Sequence, residues 1–114
     1  MAANIYEKGG VVAALCHGPA ALVNVMLNNG KYLVEGMEMV CFSDSEEHEV
    51  KKDKFMPFML ESKLRERGGI LMPGKNWSNT VVVTGRLVTG QNPASASDTA
   101  ARMCQVLNEV IKQA

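Results

Sequence analysis

Apolar positions change rhythm along this chain, and the changes predict alternating helices and strands. Met1 and Ile5 share one face of a helix over residues 1–8, which Gly9-Gly10 stops. Val11-Val12-Ala13-Ala14-Leu15 is a continuous apolar run, the pattern of a parallel-sheet strand covered on both faces. Helical spacing returns over residues 18–26, with Pro19 in the first turn, where its missing N–H costs nothing. Asn28-Asn29-Gly30-Lys31 is a turn signal. Short strands are expected over residues 32–35 and 37–42, separated at Gly36. Residues 43–54 are polar and charged without an apolar face, which predicts a loop or an exposed turn of helix.

Beyond that segment, Met56, Met59, Leu60 and Leu64 fall at helical spacing and Gly68-Gly69 closes the element. Residues 70–72 form a short strand. Residues 80–84 and 87–89 flank Gly85-Arg86, the signature of a tight hairpin. The last helix places Ala100, Met103, Cys104, Leu107, Val110 and Ile111 on one stripe, with Ser95 and Asp98 spaced as a capping box. Strands alternating with helices imply an α/β layer fold with a mainly parallel sheet in a single domain over residues 1–114. The strand before Cys16 reads as central, and a central strand needs a neighbour on each side. The chain is therefore expected to be the C-terminal half of a larger unit, with the N-terminal half absent.

Composition narrows the function classes. The chain has 114 residues, 46% of them hydrophobic, and zero formal net charge, an ordinary globular balance. Lys and Arg form no stripe for nucleic acid, and no apolar run reaches the roughly 20 residues that cross a bilayer. No signal-peptide pattern opens the chain, so a cytoplasmic location is expected. Cys16, Cys41 and Cys104 are widely spaced, without a CxxC pair, which predicts reduced thiols rather than zinc or dithiol chemistry.

The chemistry concentrates at Cys16-His17-Gly18-Pro19. A strand that enters a helix through one residue makes a nucleophile elbow, displaying that side chain above the sheet edge. Free amides of His17 and Gly18 at the helix start bind an oxyanion, and the helix end is expected to lower the thiol pKa. The plainer reading of Cys16 is a buried core thiol. His17 is either a solvent-facing residue or an acid–base partner whose ring a carboxylate orients. Ser43-Asp44-Ser45-Glu46-Glu47-His48-Glu49 offers such carboxylates just after a strand end, unless it is only a solvated loop. A metal site from Cys16, His17, Glu47 and His48 is the weakest option, because paired-ligand spacing is missing. Cys41 and Cys104 read as core thiols and the eight methionines as gap fillers or an adaptable surface.

The run Ala13-Ala-Leu-Cys-His-Gly-Pro-Ala-Ala-Leu22 resembles the elbow of the ThiJ/PfpI superfamily, relatives of the class I glutamine amidotransferases. Cys41-Phe-Ser-Asp-Ser-Glu-Glu47, Met56-Pro-Phe-Met-Leu-Glu61 and Thr89-Gly-Gln-Asn-Pro-Ala-Ser-Ala96 are similar to its branch of heat-shock chaperones and glyoxalase III enzymes. The resemblance implies a flavodoxin-like three-layer sandwich. It makes Cys16 the nucleophile, His17 the catalytic histidine and Glu47 the acidic member, with Glu46 next in register. It places Asn92 and Pro93 in a loop that shapes the site. It implies a cofactor-independent conversion of methylglyoxal, a small reactive aldehyde, to lactate, with deglycase or holding-chaperone behaviour beside it. The family's N-terminal half carries a glutamate that holds the thiol and a glycine amide of the oxyanion hole, neither present here. The alternatives are a truncated binding or chaperone module that pairs as a homodimer or with the absent half, and a cysteine peptidase.

Overall fold

The computed structural model describes residues 2–50 and 57–113. In chain order the elements are α1 (Ala2–Glu7), β1 (Val12–Leu15), a 3₁₀ turn (Gly18–Leu22), β2 (Glu38–Met39), α2 (Asp44–Glu49) and α3 (Leu60–Glu66). They continue with β3 (Ile70–Leu71), β4 (Val81–Thr84), β5 (Leu87–Gly90), a second 3₁₀ turn (Pro93–Ser95) and α4 (Ala96–Gln113). β1 and β5 pair in parallel, Leu15 opposite Gly90, and β5 pairs antiparallel with β4 across the Gly85-Arg86 turn. β2 and β3 form a separate parallel pair. The α/β class with mainly parallel pairing is as the hydrophobic rhythm implies.

The core gathers Leu22, Leu33, Met39, Leu64, Leu71 and Leu87 between the strands and α3. β2 docks beside the hairpin through side chains: Thr89 Oγ1 accepts from the Val40 N–H at 3.0 Å, and Thr84 Oγ1 donates to the Glu38 carbonyl at 2.7 Å. The buried Val40 N–H is thereby satisfied without a longer ladder.

Several expectations are corrected. The helix over residues 18–26 is only the five-residue 3₁₀ turn, because Ala20, Val23 and Val25 bond to carbonyls three residues back. Val23, Asn24 and Val25 are weak helix formers, so no α-helical turn follows. Residues 32–35 form no strand beyond a single Met26–Tyr32 bridge. Their chain turns instead, burying Leu33 and Val34. Residues 37–42 are strand only at β2. Of the charged segment, residues 43–50 are described, and Asp44–Glu49 form the helix α2 rather than a loop; Ser45, His48 and Glu49 are exposed as expected, whereas Glu46 and Glu47 are buried. Met56, expected in the next helix, lies outside the described residues; α3 begins at Leu60.

The α4 stripe is also only partly buried. Val106 is covered, whereas Cys104, Leu107 and Ile111 are exposed, so Cys104 is not a core thiol while Cys41 is. The sheet beneath α4 is three strands wide with β1 at its edge, which leaves part of the stripe without a partner. Ser95 does not cap α4 in a box with Asp98. Its hydroxyl accepts from the Thr80 N–H and donates to Asn92, and Asp98 accepts from Asn79.

Gly90 ends β5 where α4 packs closest. A Cβ there would overlap Thr99 Oγ1 and press on Leu15 and Ser95 at 3.2 Å. Gly90→Ala is expected to cost about 1–3 kcal/mol in chemical denaturation, the usual price of overpacking. An unchanged midpoint would refute the close approach.

Candidate active site

Cys16 follows β1 directly and adopts φ 59°, a left-handed conformation that costs an ordinary residue roughly 1–2 kcal/mol. Two backbone bonds hold it there. Its N–H donates to the Gly90 carbonyl at 2.9 Å, and its carbonyl accepts from the Phe42 N–H at 2.8 Å. The turn that follows opens with Gly18 and the buried Pro19, and this tight geometry lifts the Cys16 side chain to a half-buried position.

His17 lies between the elbow and α2. Its Nε2 sits 2.8 Å from Glu47 Oε2, and its Nδ1 lies 3.7 Å from Cys16 Sγ. An ionised carboxylate can only accept, so a neutral imidazole in this position carries its proton on Nε2. Nδ1, facing the sulfur, is then an acceptor for the thiol proton. Phe42 supports the ring, centroids 4.4 Å apart, and Trp77 meets Phe42 edge-on at 5.6 Å. The imidazole is about half exposed, with a side-chain exposure of 46%, whereas Glu47 keeps only 4%.

Glu47 reaches His17 because α2 starts at a capping box. The Ser43 hydroxyl accepts from the Glu46 N–H at 3.1 Å, and Glu46 Oε1 accepts from the Ser43 N–H at 3.0 Å. The first turn of α2 carries Asp44, Glu46 and Glu47, favourable at the positive end of a helix. Glu46 points away from His17, toward Ser43, Trp77, Gln91 and Asn92. The neighbouring register is thus excluded geometrically as the partner of His17.

The thiol departs from expectation. Burial pushes the Cys16 pKa above its ordinary value; the His17 N–H lowers it, and the charges of Glu46 and Glu47 raise it further. The short 3₁₀ turn supplies little of the dipole a full helix would, so desolvation and two carboxylates prevail. At rest these effects favour the thiol over the thiolate at Cys16.

Asn92 and Pro93 flank this arrangement rather than enter it. Asn92 is buried and donates to Glu46 and to the Ser78 carbonyl, both at 2.8 Å. Pro93 is exposed at the start of the second 3₁₀ turn. Phe42 and Gln91 were not foreseen near the site, whereas Trp77, between a turn and a strand, packs near it as its position suggests. Trp77 has φ 63° and anchors to α2 by its backbone and ring N–H groups, on Glu46 and Glu49. The Ser-x-x-Glu spacing of Ser43 and Glu46 was the available signal, since it marks a capping box. Among the described residues, no group of three or more His, Cys, Asp or Glu side chains is placed to hold a metal ion. None of the described helices is long and apolar enough to cross a membrane.

Iodoacetamide alkylation of Cys16, followed by mass spectrometry across pH, should show a midpoint above the ordinary thiol value of about 8.5. A midpoint well below it would contradict the burial argument.

No family model matches the chain. It is 37% identical over 113 residues to the glutathione-independent glyoxalase HSP31 of Saccharomyces cerevisiae, covering 94% of this chain and 48% of that protein. Its structure superposes on crystalline glyoxalase III from Candida albicans with a TM-score of 0.87 at 32% identity, covering 93% of this chain and 47% of the other. A ThiJ/PfpI domain protein from Brachyspira murdochii, 24% identical with a TM-score of 0.61, shares the fold over 93% of this chain and 46% of its own. The chain spans about half the length of the relatives it matches. It is thus related along nearly all its length to the glutathione-independent glyoxalases and carries the flavodoxin-like fold of the ThiJ/PfpI proteins, as the elbow and Thr89–Ala96 motifs imply.

Proposed function

We propose that this chain is the nucleophile-bearing, C-terminal part of a cofactor-independent glyoxalase III–type enzyme that converts methylglyoxal to lactate in the cytoplasm. The observation that carries the reading is His17, bonded to Glu47 through Nε2 and facing Cys16 with Nδ1. Similarity to proteins named glyoxalases supports the substrate class.

In this mechanism Cys16 Sγ adds to the aldehyde carbon while its proton passes to His17 Nδ1, giving a hemithioacetal. The N–H groups of His17 and Gly18 face the developing oxyanion. His17, after giving that proton to the oxygen, removes the hydrogen from the former aldehyde carbon to form an enediol, then returns a proton to the adjacent carbon. The product is a lactoyl thioester on Cys16. Water hydrolyses it to lactate and restores the thiol, so the overall change is addition of one water with no external oxidant or reductant. Glu47 keeps the imidazole in the tautomer this sequence needs and offsets the imidazolium charge. Asn92 and Pro93 shape the approach to the sulfur.

Cys16→Ser should abolish methylglyoxal consumption, and Glu47→Gln should lower kcat by roughly 10²-fold or more, as loss of acid–base catalysis does. Undiminished turnover in the serine variant sinks the mechanism.

A second reading has its own support, that of a module that pairs with another chain. Among the described residues β1 pairs on one side only, with β5. Apolar hollows flank it, one along Ile5, Val11 and Val25 and another along Leu15, Ala100 and Met103. Ile5, Leu107 and Ile111 are exposed on the same molecule. Such a surface suits a homodimer or an N-terminal half like that of the longer relatives. Light scattering after size exclusion should give a mass above that of one chain; a monodisperse monomer at micromolar concentration argues against pairing.

A further inference from the structure

We propose that Glu46 is a positioning residue, whose buried carboxylate fixes both contacts that orient the His17 ring while touching neither His17 nor Cys16. The proposal rests on the Cys16–His17–Glu47 reading and deepens it.

Glu46 is fully buried, an expensive place for a carboxylate unless its oxygens are satisfied. Here they are. Oε1 accepts from the Ser43 N–H at 3.0 Å, from the Ser43 hydroxyl at 3.1 Å and from Gln91 Nε2 at 3.1 Å. Oε2 accepts from the Trp77 N–H and from Asn92 Nδ2, both at 2.8 Å. All five donors are neutral, and they come from three places: the start of α2, the turn around Trp77, and the end of β5. Those donors outweigh burial and hold the Glu46 carboxyl below its ordinary range, so the group is an anion at neutral pH.

Two routes lead from this anion to His17. The first runs through α2. A six-residue helix is marginal alone, so its rotation about its own axis must be set by tertiary contacts. Glu46 sets it from the buried side, and Glu47, one position on, is thereby aimed at Nε2. The second runs through Trp77, whose N–H is held by Glu46 although the residue sits at φ 63°. Trp77 packs on Phe42, and Phe42 supports the imidazole face. The edge and the face of the ring both trace back to one carboxylate. A glutamine in its place turns an NH₂ toward at least two donors, so the hub cannot re-form unchanged.

The test is ¹⁵N NMR of the His17 ring, with kcat and KM for methylglyoxal, in the wild type and in Glu46→Gln. The wild type should show one tautomer, with the proton on Nε2. Glu46→Gln, while folded by circular dichroism, should show mixed tautomers and a kcat lower by about 10–100-fold with KM within about twofold, as displacement of a catalytic group by an ångström or so produces. A purely structural role would lower the melting temperature yet leave the tautomer of the folded protein intact, and that result overturns the proposal. So does a wild-type His17 without the Nε2 proton. If Glu46→Gln does not fold, Ser43→Ala and Asn92→Ala each remove donors and leave the carboxylate; both should give partial tautomer mixing, and an unaltered tautomer in both overturns it. If no form turns over methylglyoxal but Glu46→Gln still mixes the tautomers, the glyoxalase reading fails and the positioning role stands. If turnover depends on Glu47 and not on Glu46, the positioning role alone fails.

Discussion

A single 2.8 Å hydrogen bond, from His17 to Glu47, joins the elbow to α2 across 30 residues of sequence. Several features of the structure converge on that contact. β1 and β5 pair in parallel so that the Gly90 carbonyl can hold the Cys16 N–H, and the segment after β2 returns to grip the Cys16 carbonyl through Phe42. Left-handed backbone at a cysteine persists only where its surroundings impose it. Here the sheet imposes it from one side and the Phe42 N–H, in the segment after β2, from the other. The ring that follows is then within reach of a helix with a buried acidic face.

On the proposed reading, that placement decides what kind of nucleophile Cys16 is. A thiolate stabilised by a helix dipole would be reactive at rest. Burial and two nearby carboxylates act in the opposite direction and keep the thiol protonated. In the proposed mechanism activation therefore coincides with attack, by transfer of the proton to an imidazole that Glu47 has already turned the right way. The same carboxylates that oppose the free thiolate favour the imidazolium formed in that step.

Much of this was legible in the chain. The continuous apolar run before Cys16, the Gly85-Arg86 hairpin and the motif resemblance led to the α/β fold, and the resemblance also singled out Glu47. What was not legible has a common physical origin. α2 has no apolar face, so periodicity offered nothing; its helix is written in a Ser43–Glu46 capping box and in polar partners contributed from residues 77, 91 and 92. Those partners are distant in sequence, and no local pattern reveals them. The overlong helix after Cys16 failed for the reverse reason: its apolar spacing is real, but Leu22 and Val23 are buried through turns rather than through a helix. The α4 stripe was read correctly as apolar and wrongly as covered, since coverage depends on how wide the sheet is.

The measurement closest to the central claim is trapping of the covalent intermediate. Protein mixed with methylglyoxal for less than one turnover, quenched in acid and digested for mass spectrometry, should carry the three-carbon adduct on Cys16, and Glu47→Gln should accumulate it far more slowly. An adduct found instead on Cys41 or Cys104, or formed on Cys16 equally fast without the Glu47 carboxylate, would contradict the account.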